Sequence, residues 1–353
     1  LINFRLIQTI SWFFLFSCFF FAPIMVKAQP KVDALSDQQL LEEPRFQPPK
    51  DWHFDYFKDE RGVRLRYGAA RLPYSRGTIV FVTGYTETGE EYFELIKEFQ
   101  NRGYDVWEMD WHGQGGSQRY FADAPQKIHS DGVGKDADDL YQFVTKIVKP
   151  DPKKPIFLIA HSFGCLVSLE CLHDHAGLFD KAVLTSPALS FLKKPVWVSQ
   201  AFANMMTSIG HGQDYAADQD DWPRLEPKLL NPLWHTHDPE RLRLPVALFN
   251  THPELAVGGC TWGYLHNYLD AVDMVNKRDY LLGIDTAILI ASGLDDKITE
   301  PAAHARASRI LPHAHIVKIE EGRHELARES DPLRNQYLNA VIDFFDGKKF
   351  ADQ

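Results

Sequence analysis

The segment 155–175 limits the fold more than any other part of the chain. An apolar run over 155–160 passes through Ala160-His161-Ser162-Phe163-Gly164 into a second apolar, small-residue run that begins at Cys165. A short apolar run, a tight glycine-bearing turn and a longer apolar run read as strand, sharp turn and helix. A serine in that turn points out of the sheet with the first backbone N–H groups of the helix beside it. That is the geometry a nucleophile requires.

The same pattern recurs on both sides. Strand-like runs at 78–82, 105–109, 156–160, 181–184, 286–290 and 315–319 alternate with helix-like stretches at 90–102, 131–148, 165–175, 301–310 and 332–345. Repeated strand–helix alternation makes an α/β fold, a mostly parallel sheet with helices on both faces. Such sheets place ligands at the carboxyl ends of their strands, where Ser162 stands. Ahead of the alternation, 54–57 and 63–70 read as an antiparallel pair turned through Asp59-Glu60-Arg61-Gly62.

The alternation breaks near Ser190 and resumes at 286. The intervening block is rich in large apolar groups, among them Trp197, Phe202, Met205, Trp262, Tyr264 and Tyr268. A loop of that length without structure of its own is improbable, so the expectation is a helical cap over 190–285, folded across the carboxyl edge of a core made of 53–189 and 286–348. Most of these side chains are expected to form the cap's own core and the rest to line an apolar tunnel to the serine.

The first 28 residues are a different material. Arg5 precedes a nearly wholly apolar run over 12–26, and Val26-Lys27-Ala28 ends in the small residue that signal peptidases prefer. The reading is a secretory signal cut after Ala28, which places the protein in the periplasm or outside the cell. An uncleaved membrane anchor through residues 8–26 is the alternative, although the run is shorter than the roughly 20 residues that span a bilayer. A lipoprotein reading of Leu15-Phe16-Ser17-Cys18 is disfavoured by the bulk of Phe16 and the apolar residues after Cys18. Residues 29–52, with four prolines and no periodicity, read as a linker. Cleavage would leave Cys165, Cys171 and Cys260, too few for a disulfide framework, so buried thiols are expected.

With 38 basic and 48 acidic residues the net charge is -10, and no basic patch interleaves with aromatic residues. Nucleic acid is excluded as a partner on that ground. The cap is the part expected to make any peripheral contact with a membrane.

A serine hydroxyl needs a base in hydrogen-bond reach, itself oriented by a third group. Asp295 and Asp296 follow the strand-like run at 286–290, and His324 follows the run at 315–319, so all three groups meet at one edge of the sheet in the order serine, acid, histidine. The spacing Gly293-Leu294-Asp295-Asp296-Lys297-Ile298 fits Gly-x-x-Asp-x-apolar and favours Asp296 over Asp295. An oxyanion needs two preorganised donors. The backbone N–H of Phe163 supplies one, and that of Tyr85, in the turn Thr83-Gly84-Tyr85-Thr86, the other. His211, His235, His237 and His252 match no zinc spacing and read as surface or cap-packing residues. The glycine-rich stretch 110–117 lacks the lysine of a phosphate loop and reads as a tight turn near the serine.

Together, Gly84-Tyr85-Thr86-Glu87, Tyr92-Phe93-Glu94-Leu95, Gly103-Tyr104-Asp105-Val106, the 110–117 loop, the Ser162 turn, 293–296 and Gly322-Arg323-His324-Glu325 resemble the α/β-hydrolases of the monoacylglycerol lipase and lysophospholipase group, closest to the bacterial lysophospholipase L2 type. The resemblance covers 54–345, the cap only by position. It implies Ser162 as nucleophile, Asp296 as acid, His324 as base, and Tyr85 and Phe163 as oxyanion donors, with neither metal nor cofactor. It further implies a serine hydrolase that cleaves the ester of a lysophospholipid or monoacylglycerol through an acyl-enzyme. A short-chain carboxylesterase, a lipid acyltransferase and a catalytically silent binding protein are the rivals. Three positions depart from the family pattern: Ala160 for glycine, Cys165 for a second glycine, and Tyr85 for a smaller residue.

Overall fold

Eight strands form one sheet in the computed structural model, which describes residues 35–190, 196–224, 226, 231 and 233–348. Their order is β1-β2-β4-β3-β5-β6-β7-β8. The strands are β1 (His53–Lys58), β2 (Arg64–Ala70), β3 (Thr78–Val82), β4 (Asp105–Met109), β5 (Ile156–His161), β6 (Lys181–Thr185), β7 (Ala287–Gly293) and β8 (Ala314–Ile319). Only the β1–β2 and β2–β4 pairings are antiparallel; every other neighbour is parallel.

Every residue of β3 and of β5 is buried, as the unbroken apolar runs require of strands covered on both faces. One face packs on α2 (Phe93–Asn101) and on the closing helix α10 (Asp331–Phe345). There Phe81, Ile96, Phe157, Tyr337, Val341 and Phe345 share one core, with Phe157 and Phe345 stacked at 4.2 Å. Each such side chain contributes about 1.5–3 kcal/mol by leaving water. The other face carries α3 (Val133–Gln142) and α4 (Phe163–Asp174), whose residues 163–172 are all buried.

The chain visits β3 and then β4 on one side before crossing to β5 on the other. The carboxyl ends of β3 and β5, paired through Val82 and Ala160, therefore diverge into a crevice. Thr83 leaves one side of that crevice and Ser162 the other.

Between β6 and β7 lie the helices α5 (Val196–Met206), α6 (Pro239–Thr251), α7 (Trp262–Val275) and α8 (Arg278–Leu282). Ala203, Ala216 and Trp262 anchor a small separate core in this block, with Phe202 packed edge-on against Trp262 at 5.0 Å. The remaining helix, α9 (Pro301–Ile310), packs beside β7 and β8.

Several expectations shift. The helix expected over 90–102 opens as a 3-10 turn, Gly89–Tyr92, because Thr88 and Glu91 form a reciprocal cap at its start. The stretch 29–52 is not simply a linker: residues 37–41 form α1 (Asp37–Leu41), and Leu40 and Phe46 are buried. Asp37 accepts hydrogen bonds at 2.9 Å from both Arg243 and Asn250 of α6. Arg45 adds ion pairs to Asp238 and Glu240, so the segment is held by scattered contacts that leave no periodic trace. The expected signal and the alternative anchor at 8–26 lie outside the described residues. Among the described residues no helix is long and apolar enough to cross a membrane.

Glu108 is the chief electrostatic anomaly of the sheet. It sits fully buried on β4, and burial first, then the neighbouring Asp110 carboxylate, push its carboxyl well above the ordinary range; Arg66 offsets only part of this. The folded chain thus keeps this proton to higher pH than the unfolded chain does. That contribution to stability is complete below the ordinary glutamate range and is lost as pH rises. Glu108→Gln, which keeps the shape and cannot ionise, is expected to melt close to wild type at pH 5 and above it at pH 8–9, measured by thermal unfolding at both values.

Candidate active site

Ser162 is held at φ +47°, ψ -111°, a left-handed conformation uncommon for a residue with a side chain. Its N–H donates to Thr185 O of β6 at 2.9 Å, and its carbonyl accepts from Cys165 and Ala188. The turn is closed by Gly164. A Cβ there would stand 2.5 Å from Thr83 O, so only glycine lets α4 approach the end of β3.

His324 lies in the loop after β8, and its Nε2 is 3.0 Å from Ser162 Oγ. Its Nδ1 is 2.9 Å from Asp296 Oδ2. Asp296 follows β7 and is almost fully buried. One of its carboxylate oxygens accepts the N–H groups of Ile298 and Thr299, and the other also takes the Thr299 hydroxyl at 2.6 Å. Burial would raise this carboxyl; the partner His324 and the hydrogen bonds outweigh it and hold it below the ordinary range. Asp295 points elsewhere. It pairs with Lys297 at 2.5 Å and approaches Arg323 at 3.8 Å near the surface.

The residues of the two expected oxyanion donors line the same cavity as the serine. In the turn after β3, the Gly84 N–H is taken by Glu87 and the Thr86 N–H by Gln114. The Tyr85 N–H between them has no acceptor among the described residues. Phe163 opens α4, where a backbone N–H has no partner within the helix.

The 110–117 loop does more than turn near the serine. Trp111 Nε1 donates to Thr83 O at 2.8 Å, and Gln114 holds Thr86, so this loop braces the Tyr85 turn from the β4 side. Asp110 closes the loop itself by accepting the Gly116 N–H at 2.9 Å.

These groups open on a cavity of about 390 Å³. One wall is aromatic: Tyr264 lies 5.3 Å from Tyr85 and 5.7 Å from Phe163, and Tyr268 stacks on Tyr264 at 6.2 Å, ring centre to ring centre. Leu265, Val257 and Ile298 extend the apolar lining. Elsewhere the lining is polar, contributed by Glu87, Glu91, His235, Glu325 and Arg328.

The polar residues form one buried network that motif spacing does not reveal. Arg328 donates to Glu87, Glu91 and Glu325. His161, the residue before the serine, lies between Glu87 and the His324 loop. Burial pushes the Glu91 carboxyl up to about 8, against the opposing charge of Arg328 and with the nearby Glu87 and Glu325 adding to the rise. Glu325 is driven the other way: Arg328 and His161 overcome its burial and hold it well below the ordinary range.

Of the histidines in this block, His211 pairs with Asp214 near the surface and His237 with the buried Glu329, while His235 lines the cavity with its Nδ1 3.6 Å from Glu325. His161, His324 and Glu325 bring metal-ligating atoms together. Their nitrogens, however, already face Glu87, the His324 carbonyl, Ser162 and Asp296, so the donor set is spent on hydrogen bonds. Cys165 and Cys171 are buried cysteines, and Cys260 is a partly buried one.

Comparison with known proteins agrees with this architecture. The chain is 27% identical to a probable lysophospholipase L2 of Haemophilus influenzae over 293 residues, which is 82% of this chain and 91% of that protein. It is 28% identical to lysophospholipase L2 of Escherichia coli K12 over 294 residues, 80% of this chain and 84% of that one. Among solved structures, a soluble variant of monoglyceride lipase from Saccharomyces cerevisiae with a substrate analogue superposes with a TM-score of 0.65 at 17% identity, covering 84% of this chain and 96% of that one. A carboxyl esterase from Bacillus coagulans gives 0.67 at 17% identity, covering 84% and 98%. The family described as serine aminopeptidase, S33, matches residues 73–331. The chain has the α/β-hydrolase fold and belongs to that family.

Proposed function

We propose that the protein is a serine hydrolase that cleaves the carboxylic ester of single-chain lipids, a lysophospholipid or a monoacylglycerol. The observation that carries this is the hydrogen-bonded line Asp296–His324–Ser162, which opens into a mainly apolar cavity. The lysophospholipase and monoglyceride lipase relatives support the same reading.

In the reaction, His324 Nε2 takes the proton of Ser162 as Oγ attacks the ester carbonyl. Asp296 fixes the imidazole tautomer and stabilises the imidazolium. The oxyanion is met by the N–H groups of Tyr85 and Phe163. His324 returns its proton to the leaving alcohol, then activates water, which releases the fatty acid from Ser162. The aromatic wall of Tyr85, Phe163, Tyr264 and Tyr268 takes the acyl chain, and the polar lining suits a glyceryl head.

The cap adds a route to the substrate. Trp197, Val198, Met205 and Ile209, on α5 and the turn after it, leave large apolar groups in solvent, Trp197 with 71% of its surface exposed. In this reading they rest on a lipid surface, held by apolar contact since the chain is anionic.

Ser162→Ala is expected to abolish labelling by a fluorophosphonate probe and to lower kcat by about 10⁶. A folded wild-type protein that stays unlabelled would remove the hydrolase reading. On a panel of lysophosphatidylcholine, lysophosphatidylethanolamine, monoacylglycerols and short p-nitrophenyl esters, the single-chain lipids are expected to have the highest kcat/KM. Turnover of the short esters alone would make the protein a carboxylesterase, and acyl transfer to an added alcohol in preference to water would make it an acyltransferase.

Asp296→Asn is expected to lower kcat by about 10⁴, as loss of the orienting carboxylate does in such triads, while Asp295→Asn stays near wild type. The reverse order would exchange the two roles. Trp197→Ala with Met205→Ala is expected to reduce co-sedimentation with phosphatidylcholine vesicles while turnover of soluble esters is retained; unchanged sedimentation removes the lipid contact from this face.

A further inference from the structure

We infer that His161 is a positioning residue: one buried side chain ties the oxyanion turn and the histidine loop to the nucleophile strand. The inference rests on the reading of Ser162 and His324 as nucleophile and base.

His161 is the last residue of β5, so its backbone leads directly into Ser162. Its side chain is 3% exposed. Nδ1 lies 3.0 Å from Glu87 Oε2, the same oxygen that accepts the Gly84 N–H in the turn presenting Tyr85. Nε2 lies 3.4 Å from the carbonyl oxygen of His324, which also accepts from Ser186 Oγ at 2.8 Å. Glu325 Oε2 stands 3.6 Å from the same nitrogen. A single ring thus touches all three parts of the machinery, and no other described side chain is bonded to both the Tyr85 turn's carboxylate anchor and the His324 carbonyl.

The surroundings require this ring to carry two protons. Nε2 faces only acceptors, the His324 carbonyl and the Glu325 carboxylate. Nδ1 faces the Glu87 carboxylate and the Tyr92 hydroxyl, 3.2 Å away. A neutral imidazole leaves one of these contacts as lone pair against lone pair, whereas an imidazolium donates to both. The other titratable groups near it are Arg328, whose charge opposes that of the ring, Glu91, which shares that arginine, and His324, whose ring centre is 4.9 Å away. Burial works against the charged ring, but Glu87 and then Glu325 prevail and raise its pKa to about 9.

The consequence is a dependence of rate, not of substrate binding, on the His161 charge. When the proton leaves, Glu87 and the His324 carbonyl each lose a charged donor. The Tyr85 N–H and the His324 ring are then less firmly placed against the transition state, and misplacement of that kind lowers kcat by about 10- to 100-fold. KM is set by the cavity walls and stays close to its neutral-pH value.

The test compares kcat and KM for p-nitrophenyl butyrate between pH 6.5 and 10.5 in wild type, His161→Gln and Glu87→Gln, alongside side-chain ¹H–¹⁵N NMR of the histidines in the wild-type protein and in Ser162→Ala. Expected are a His161 ring carrying both N–H protons at neutral pH and titrating near 9, a wild-type kcat that falls with that same titration while KM does not, and a His161→Gln kcat that is low at pH 7 and has lost this alkaline fall. A wild-type kcat that stays level while the ring titrates, or a His161→Gln variant with wild-type kcat, overturns the inference. If His161→Gln does not fold, the coincidence or separation of the wild-type rate and NMR titrations decides alone. Activity retained in Ser162→Ala overturns instead the reading on which the inference rests, and the NMR titration distinguishes the two failures because it needs no turnover.

Discussion

The contact on which the active site depends is the approach of Gly164 to the carbonyl of Thr83. No side chain fits between them, since a Cβ on Gly164 would fall 2.5 Å from that oxygen. Because the gap is closed, the start of α4 lies against the end of β3, and Phe163 and Tyr85 line the same cavity as the serine. Trp111 donates to the same carbonyl, so Thr83 O is fixed from the β4 side as well. The strained backbone of Ser162 is tolerable inside this frame because its N–H and carbonyl are both bonded across to β6 and its following loop.

Around that frame the protein keeps carboxyl groups in opposite states at short range. Asp296 is held ionised by the hydrogen bonds it accepts and by His324. Glu91, buried to a similar degree, has one arginine that it shares with Glu87 and Glu325, and its pKa climbs to about 8. The difference is the number of donors each receives, not depth. Three carboxylates served by one guanidinium and one imidazolium are balanced when one of the three is protonated, and Glu91 is the one whose environment selects it. A network so arranged changes charge as pH rises through 8 to 9, and it does so at the cavity wall.

Much of this was legible in the chain. The buried strand β3 coincides with the apolar run at 78–82, because a strand covered on both faces leaves an unbroken signature, and β4 coincides with the strand-like run at 105–109 although Asp105 and Glu108 interrupt it. Ser162, Asp296 and His324 were legible because each sits at a fixed distance beyond a strand. The His161–Glu87–Arg328 network was not, since it joins residues that are separate in sequence and lie on no common periodic face. Glu87 and Glu325 were visible only as parts of loops around other residues. The α1 segment escaped for a different reason: with Leu40 and Phe46 as its main buried apolar side chains, it offers no pattern to read.

The three departures from the family pattern each resolve into a packing role. Ala160 is fully buried in register with Val82 and Leu184, on the strand before the turn. Cys165 places its thiol 3.4 Å from the Thr185 carbonyl, so the sulfur fills the space between α4 and β6 that a second glycine would leave open. Tyr85 turns its ring toward Tyr264 of α7. In the proposed reaction its backbone meets the oxyanion, while its side chain lines the cavity beside Tyr264. On α7, Tyr264 lies against Tyr85 and Phe163 alike, so one ring of the cavity wall touches both turns from which an oxyanion would be met.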